Sequence, residues 1–342
     1  MRIGLIAPPW LPVPPTGYGG TEAVVHALAT SLAAAGHRVV LAAASDSTCP
    51  VERIDGFAPA KRAEMGETSS ELPHVIRAYE ELADVDIIHD HTLAGPLYRH
   101  RPTEIPVVCT IHSAMTPTLR PVYKAMSRDV SLVAISQHQA GSAPEVKISR
   151  VIHHGIDPSA VPLGAGTGGY ACFLGRMAPD KGVVEAIMVA RLAGIKLKIA
   201  AKMSEKAELD YFHAAVAPLL GADEEFVGEV DLKGKLALLG DAIALINPLQ
   251  WDEPFGMVMI EALAAGTPVV AIPRGSAPEL IEHGVTGFLA AGTDELARCL
   301  QRAADLDRRG CRAAVETRFS ADLMARRYAA LFEDVLAGTH QS

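Results

Sequence analysis

The chain has 342 residues, of which 49% are hydrophobic, and its formal net charge is −9. A chain of this length is longer than one that ordinarily forms a single hydrophobic core, and it is sufficient for two domains. The acidic balance argues against a nucleic-acid-binding protein and against strong docking on an anionic membrane. We expect a cytoplasmic protein, because the first apolar run is too short for a signal peptide and no run reaches the roughly 18–20 apolar residues of a membrane span. The five scattered cysteines, without a CxxC pair, fit a reduced compartment and suggest neither disulfides nor a zinc site.

Short apolar runs alternate with helical patterns in the first half of the chain. The runs show little polar alternation, which is typical of parallel strands covered on both faces. Strands are predicted at 2–7, 38–43, 85–89, 106–111 and 132–135. Helices are predicted at 21–35 and 72–83, where apolar residues recur at helical spacing.

The pattern restarts after a glycine-rich stretch at 163–169. Both halves open with a strand, a glycine-bearing loop, a helix, an Ala-Gly pair and a second strand. In the second half, strands are predicted at 170–174, 197–201, 225–227, 242–246 and 268–271, with a helix at 183–192 and mostly helix over 293–336. This organisation predicts two Rossmann-like α/β domains with parallel sheets, and their ligands are expected beyond the carboxyl ends of the strands.

Two carboxylates stand eight residues apart, at Glu253 and Glu261, around a Pro-Phe-Gly-Met sequence. A helix beginning near Phe255 or Gly256 leaves Glu253 in the loop before it and places Glu261 inside it. The free amides of the first turn, up to Met257, suit a phosphate, and the inner carboxylate suits ribose hydroxyls. The alternative is a buried helix with one capping acid and one chance glutamate.

Arg176 and Lys181 follow the strand at 170–174 in a loop that leads into a helix. Two cations at a strand end suit a diphosphate, because Arg grips two oxygens and Lys adds a mobile charge. Asp180 is the one carboxylate in the next few residues. The alternative is solvated surface. The C-terminal third has two arginine groups on predicted helices, which we interpret as solvated faces with contact to an anionic acceptor as the alternative: Arg298 and Arg302, and Arg308, Arg309 and Arg312.

A glycine-rich loop with Gly17, Gly19 and Gly20 opens the first helix. Glycines there allow a backbone to approach a ligand closely, although a plain flexible turn is the alternative. Position 22 is Glu22, where a dinucleotide fingerprint requires glycine, so the loop predicts no NAD site.

Histidines follow two strands of the first half. His112, after the strand at 106–111, is a candidate for hydrogen bonding a sugar hydroxyl, with a structural role as the alternative. His89 and His91 flank Asp90 at another strand end and offer metal-ligand chemistry, but no further ligands are evident. Asp84-Val-Asp86 matches the DxD pattern of metal-dependent sugar transferases but lies at a strand start, so we interpret it as chance. The pair at 153–154 is typical of a turn near a domain boundary.

Together these motifs resemble the retaining glycosyltransferases of family four, which have the GT-B fold. The resemblance extends over nearly the whole chain in family order, and it is strongest in the Glu-x7-Glu pair within its Glu-Pro-Phe-Gly context. The other matching pieces are Gly19-Gly20-Thr21-Glu22, Thr110-Ile111-His112, Arg176-x4-Lys181-Gly182, residues 265–270, residues 278–289 and Phe319-Ser320. In length the chain is most similar to an antibiotic-pathway member.

The resemblance implies an acceptor-side domain at 1–163, a nucleotide-sugar domain at 164–319 across a cleft, and a helix at 320–342 that returns to the first domain. It implies that Arg176 and Lys181 neutralise the donor diphosphate, that Glu261 binds the ribose, and that His112 and Glu253 contact the donor sugar. Gly19 and Gly20 would approach phosphate or sugar, and the amides around 255–257 would hold phosphate or sugar hydroxyls. The family usually has Pro-Asn-Gly where this chain has residues 153–155, which leaves that loop's contacts open.

The expected reaction is transfer of a sugar from a UDP-, GDP- or dTDP-sugar to a hydroxyl of a soluble acceptor, with an oligosaccharide natural product among the candidates. No metal or cofactor is expected, because cations and a helix terminus can stabilise the leaving diphosphate. A nucleotide-sugar epimerase and a non-catalytic nucleotide-sugar-binding protein remain alternatives. An α-glucan phosphorylase is disfavoured, because no pyridoxal-phosphate lysine context is evident and the chain is short.

Overall fold

The structure, a computed structural model, describes residues 1–339. These residues form two compact units. Unit 1 contains Met1–Gly155 and the final helix, which begins at Ala321. Unit 2 contains Ile156–Ser320. Unit 1 is therefore discontinuous in sequence, whereas unit 2 is one continuous segment.

Unit 1 is built on a parallel sheet. Within the described residues its strands are β1 (Arg2–Ile6), β2 (Arg38–Ala42), β3 (Glu52–Arg53), β4 (Ile87–Asp90), β5 (Val107–Thr110), β6 (Ser131–Ala134) and β7 (Arg150–Val151). They lie in the order β3-β2-β1-β4-β5-β6-β7, and each neighbouring pair is parallel. Its helices are α1 (Gly20–Ala34), α2 (Thr68–Glu81), α3 (Arg120–Met126), α4 (Gln137–Gly141) and α12 (Ala321–Thr339).

The C-terminal helix α12 packs on unit 1, beside α1. Met324, Tyr328 and Phe332 are at most 1% exposed. The Tyr328 hydroxyl lies 2.7 Å from Oγ1 of Thr110 at the end of β5. The expected return of the final helix to the first domain is thus confirmed, and burial of its apolar face is the reason.

Unit 2 repeats the same architecture. Over the described part of the chain its strands are β8 (Tyr170–Arg176), β9 (Lys196–Lys202), β10 (Glu224–Gly228), β11 (Leu245–Asn247), β12 (Val269–Ala271) and β13 (Gly287–Leu289). The order is β10-β9-β8-β11-β12-β13, again parallel throughout. Its helices are α5 (Val183–Ala193), α6 (Lys206–Tyr211), α7 (Leu232–Asp241), α8 (Met257–Ala264), α9 (Ala277–Leu280), α10 (Thr293–Ala303) and α11 (Arg308–Arg318).

The two predicted Rossmann-like parallel-sheet domains are confirmed. The strands that the sequence did not predict are β3, β7 and β13, each only two or three residues long. Segments of that length carry no readable periodicity, and the neighbouring strand decides whether they pair.

The division between the units falls at 155/156, eight residues before the predicted boundary at 163. The intervening segment is fastened to unit 2. Its Ile156 forms a bridge to Ser320, and the Arg312 side chain donates to the carbonyl oxygens of Pro158 and, at 2.7 Å, Val161. The glycine-rich stretch is therefore part of unit 2 rather than the linker.

The sequence suggested that the arginines of α11 form a solvated face, but Arg308 and Arg312 are half-buried, and of the three Arg309 is exposed as predicted. Arg308 donates at 2.9 Å to the carbonyl oxygens of Gly164 and Gly240, at 3.0 Å to that of Ala242, and at 2.7 Å to Oγ1 of Thr267. One guanidinium thus satisfies acceptors from several separate segments, which a fork of five N–H donors allows.

Candidate functional site

In unit 2 the strand order reverses between β8 and β11, the central neighbours of the sheet. Loops that leave adjacent strands on either side of such a reversal diverge and open a crevice at their carboxyl ends. Arg176 is the last residue of β8, and Asn247 is the last residue of β11. The predicted cation motif and the loop before the Glu253 motif therefore leave the sheet at this switch point.

The two loops that leave the switch point pack against each other. The Gln250 amide donates to the carbonyl oxygen of Asp180 at 2.8 Å. Gly182 has φ 77°, and a Cβ there would lie 2.1 Å from the carbonyl oxygen of Pro248. Only glycine combines that backbone conformation with that approach, so Gly182 sets the spacing of the loops.

Lys181 is paired with Glu253 across these loops, and both side chains are at least 83% buried, with exposures of 14% and 17%. The Lys181 ammonium also lies 4.7 Å from the centre of the Trp251 ring. Arg176 pairs with Asp180 at 3.2 Å, and its side chain is 33% exposed. The sequence proposed Lys181 and Glu253 for one ligand but did not predict that they contact each other.

Helix α8 begins at Met257, one or two residues after the predicted start near Phe255 or Gly256. Gly256 caps the helix with φ 85°, a left-handed conformation that favours glycine. The preceding Phe255 is 2% exposed, and its carbonyl oxygen accepts a hydrogen bond from the Ser276 hydroxyl. The loop before α8 is therefore fixed by its neighbours, and the first amides of the helix carry its positive dipole end.

Glu261 lies in α8, as predicted, and its Oε1 is 2.6 Å from Nζ of Lys235 on α7. The two side chains are 17% and 22% exposed. Sequence reasoning missed Lys235, because a lysine in a helix is ordinarily solvated and only the packing of α7 on α8 brings it to Glu261. A carboxylate has two oxygens and can accept hydrogen bonds from two neighbouring hydroxyl groups.

The predicted glycine loop lies in unit 1, where Gly19 is the N-cap of α1 and Gly20 its first residue. A Cβ on Gly19 would lie 2.7 Å from Cβ of Pro15 and 2.9 Å from Cδ1 of Leu11. The absence of a side chain at Gly19 thus allows its backbone to approach Pro15 and Leu11 of the preceding loop. The role predicted for this loop in binding a ligand stays a prediction.

His112 follows β5 in unit 1 and belongs to a group of four histidines. Its Nε2 lies 2.9 Å from Nδ1 of His91, and its ring is stacked on that of His154, with centroids 5.2 Å apart. The His91 ring lies 4.1 Å from that of His89, whose Nε2 is 2.8 Å from Oγ1 of Thr110. Burial lowers the pKa of His112 to about 4 and that of His89 to about 3, so both are neutral at neutral pH.

The paired histidine pattern at 89 and 91 was a usable signal for this group. Residues two apart on a strand point to one face, and neighbouring parallel strands end at one edge. Among residues 1–339, no group of three or more His, Cys, Asp or Glu side chains is arranged to hold a metal ion.

Asp84 and Asp86 lie before β4 and bond to the side chain and the amide of Arg2, respectively. The two aspartates of the DxD pattern therefore bond to the first residue of β1, at the amino end of the sheet.

No helix of the described residues has the length and apolar character required to cross a bilayer.

Two families match the chain, one over each half. Residues 18–160 match the family described as Glycosyltransferase Family 4, and residues 162–313 match the one described as Glycosyl transferases group 1. The Mycobacterium tuberculosis glycogen synthase is 30% identical over 82% of this chain and 81% of its own length. The Mycobacterium leprae phosphatidyl-myo-inositol mannosyltransferase is 29% identical over 87% of this chain and 85% of its own.

Solved structures share the fold over the whole chain. AviGT4, a glycosyltransferase involved in avilamycin A biosynthesis, superimposes with a TM-score of 0.79 at 25% identity, covering 99% of this chain and 98% of its own. Anabaena HepE, in complex with UDP and glucose, has a TM-score of 0.72 at 20% identity over 98% and 100% of the two chains. The second similarity concerns the fold alone.

Proposed function

We propose, from the premise that this chain belongs to the group 1 and family 4 glycosyltransferases, that it transfers a sugar from a nucleotide diphosphate to an acceptor hydroxyl with retention of configuration. The observation that supports this most is the pair of loops at the β8/β11 switch point. Arg176 ends β8 at this point, and Lys181 pairs with Glu253 in the loop that leads to α8.

Arg176 and Lys181 are assigned to the donor pyrophosphate. Both are paired with carboxylates, Asp180 and Glu253, which keep their positive charges oriented before a ligand arrives. A pyrophosphate offers these cations more negative charge than a single carboxylate does, so it can displace the pairing. Release of Lys181 would leave the Glu253 carboxylate free to accept hydrogen bonds from the donor sugar.

The amides around Phe255, Gly256 and Met257 are assigned to phosphate or sugar oxygens, because a helix start presents backbone N–H groups and a favourable dipole. Glu261 is assigned to the ribose hydroxyls, with its carboxylate held in place by the bond from Lys235. Gly19 and Gly20 of unit 1 are assigned to phosphate or sugar oxygens, and His112 of unit 1 is assigned to the donor sugar.

The chemistry follows from where charge develops. Departure of the nucleotide builds negative charge on the diphosphate, which Arg176, Lys181 and the α8 terminus stabilise. We propose that the departing phosphate takes the proton of the acceptor hydroxyl as the hydroxyl attacks from the same face. The glycosidic bond of the donor breaks and the new one forms with retention, and no metal is required.

The test begins with nucleotide binding. The chain has two tryptophans, so Trp10→Phe leaves Trp251, beside Lys181, as the one indole reporter. Titration with UDP, GDP, ADP and dTDP should change this fluorescence for the cognate nucleotide and raise the melting temperature. Absence of a response to every nucleotide would refute the donor site.

The cognate sugar nucleotide is then incubated with candidate acceptors, including oligosaccharides, and the products are analysed by mass spectrometry and NMR. Transfer with a retained anomer is expected. An inverted anomer would exclude the same-face mechanism, and conversion of the donor sugar without acceptor would identify an epimerase instead.

A further inference from the structure

The rings of His89, His91, His112 and His154 form one continuous group in unit 1, which we call the histidine stack. Successive centroids lie 4.1, 5.1 and 5.2 Å apart. His89, His91 and His154 are at most 5% exposed, whereas His112 is partly exposed. The partly exposed ring of His112 therefore lies between the buried rings of His91 and His154.

One hydrogen bond inside the stack restricts where protons lie. Burial lowers the pKa of both His91 and His112, so both rings are neutral and each carries one N–H. Nδ1 of His91 is 2.9 Å from Nε2 of His112. One of these nitrogens must donate and the other must accept, and the choice fixes the tautomer of both rings.

The environment of His91 decides between the two arrangements. Its Nε2 is buried and has no hydrogen-bond partner in the part of the chain that the structure describes. A proton on Nε2 would be a buried donor without an acceptor, and orphaned buried N–H groups are rare in folded proteins. A proton on Nδ1 is instead used in the bond to His112.

We propose that His91 is a positioning residue whose Nδ1–H donates to Nε2 of His112 and so fixes His112 as the Nδ1–H tautomer. The ring nitrogen that His112 leaves for a substrate then carries a proton, so His112 acts as a hydrogen-bond donor to a sugar oxygen and not as a base. The substrate part of this inference rests on the proposed function.

His89 supports the same arrangement from the far side. Its Nδ1 is buried without a partner among residues 1–339, while its Nε2 is 2.8 Å from Oγ1 of Thr110. The same reasoning places its proton on Nε2, donating to Thr110, whose hydroxyl is bonded in turn to Tyr328 of α12. His89 is thereby held against the His91 ring, which restricts rotation of His91.

The first experiment reads the tautomer directly. The full chain, labelled with ¹⁵N at histidine, is measured by NMR near neutral pH, and the His112 signals are assigned with His112→Phe. A protonated Nδ1 and a bare Nε2 are expected for His112. The reverse pattern, or exchange between the two, would overturn the inference whether or not the protein transfers sugar.

The second experiment uses matched variants. His91→Phe keeps the ring and removes the donor, whereas His91→Asn places an amide N–H near the position of Nδ1. With the donor and acceptor found in the product assay, we expect kcat to fall about tenfold in His91→Phe, as for the loss of one hydrogen bond, with recovery in His91→Asn.

Nucleotide affinity should stay unchanged in both variants, because His91 acts through His112, which is assigned to the donor sugar and not to the nucleotide. The exposed His100→Phe is the control and should behave as the wild type. Equal kcat in all four proteins would exclude a positioning role, while failure of the nucleotide titration would refute the proposed function and leave the tautomer measurement valid.

Discussion

Two lysine–carboxylate pairs organise the proposed donor site. Lys181 pairs with Glu253, and Lys235 pairs with Glu261, with all four side chains no more than 22% exposed. Partly buried charges need partners, because desolvation is costly. The four charges are therefore held as two lysine–carboxylate pairs.

At this scale we predict that Lys181→Ala and Arg176→Ala each lose donor turnover. A hydrogen bond to a charged group contributes about 1.5–3 kcal/mol, so kcat/KM should fall roughly 10- to 150-fold for each variant. Lys206→Ala, which removes a lysine that is 88% exposed, is the control. Steady-state kinetics with the cognate donor measure the effect, and near wild-type values for both site variants would contradict the assignment.

A second residue-scale prediction concerns Glu22, in the first turn of α1. The residue is 3% exposed, and burial raises its pKa from 4.5 to about 7. The folded chain therefore keeps this proton to higher pH than the unfolded chain does. The stability that Glu22 provides is complete below pH 4.5 and is lost as the pH rises to 7, by roughly 3 kcal/mol.

Glu22→Gln removes this titration and should gain stability relative to the wild type between pH 5 and pH 8. The free energy of unfolding of both proteins is measured at each pH across that range. In the difference between the two proteins, the contributions of other titrating groups cancel. Glu80→Gln, at an exposed position of α2, should show no comparable trend. A difference between Glu22→Gln and the wild type that is the same at pH 5 and pH 8 would be inconsistent with a raised pKa.

At the scale of elements, the loop between β12 and α9 fixes the loop that carries Glu253. Gly275 has φ 58°, and a Cβ there would lie 2.5 Å from the backbone nitrogen and oxygen of Glu253. The amide of Ser276 also donates to the Glu253 carbonyl oxygen at 3.0 Å. The position of Glu253 is thus set by the loop that contains Gly275 and Ser276 as well as by the loop to which Glu253 itself belongs.

We predict that Gly275→Ala displaces Glu253 and weakens both nucleotide binding and turnover. Gly284→Ala is a matched control, because Gly284 also has positive φ, 79°, but a Cβ there meets nothing within 4 Å. In both variants an alanine must adopt a left-handed backbone conformation, which lowers the free energy of unfolding by about 1–2 kcal/mol. Only Gly275→Ala should lower affinity in the Trp251 titration, and equal affinities would show that the contact is not needed.

At the scale of the whole molecule, the chain path makes the two units unequal. Unit 2 is continuous, whereas unit 1 is completed only when α12 returns after unit 2. Met324, Tyr328 and Phe332 of α12 are almost fully buried on unit 1. Burial of a large apolar side chain contributes about 1.5–3 kcal/mol, so α12 is a substantial part of the stability of unit 1.

We therefore predict that a chain ending at Ser320 loses the stability of unit 1 but keeps nucleotide binding in unit 2. Calorimetry should show that the unfolding transition of unit 1 occurs at a clearly lower temperature than in the full chain. Added nucleotide should still raise the melting temperature of unit 2. A chain ending at Gly338, which keeps nearly all of α12, is the control. Loss of nucleotide binding only in the shorter chain would indicate that unit 2 depends on α12.

The sequence by itself determined the two α/β units and the long elements within them. Apolar runs such as the one at β1 and the periodicity of α1 are local patterns, and they predict elements because burial of one face dictates residue spacing. The Glu253–Glu261 segment was predicted as a loop and helix for the same reason. The ligand roles of its carboxylates, and of Arg176, Lys181 and His112, stay predictions.

Only the tertiary structure decided which side chains meet. Lys235 reaches Glu261, Arg308 gathers carbonyl oxygens from separate segments, and His91 bonds to His112. These partners are tens of residues or more apart in the chain and carry no shared local pattern. Strand order and helix packing set their proximity, and these are properties of the folded molecule that residue spacing does not encode.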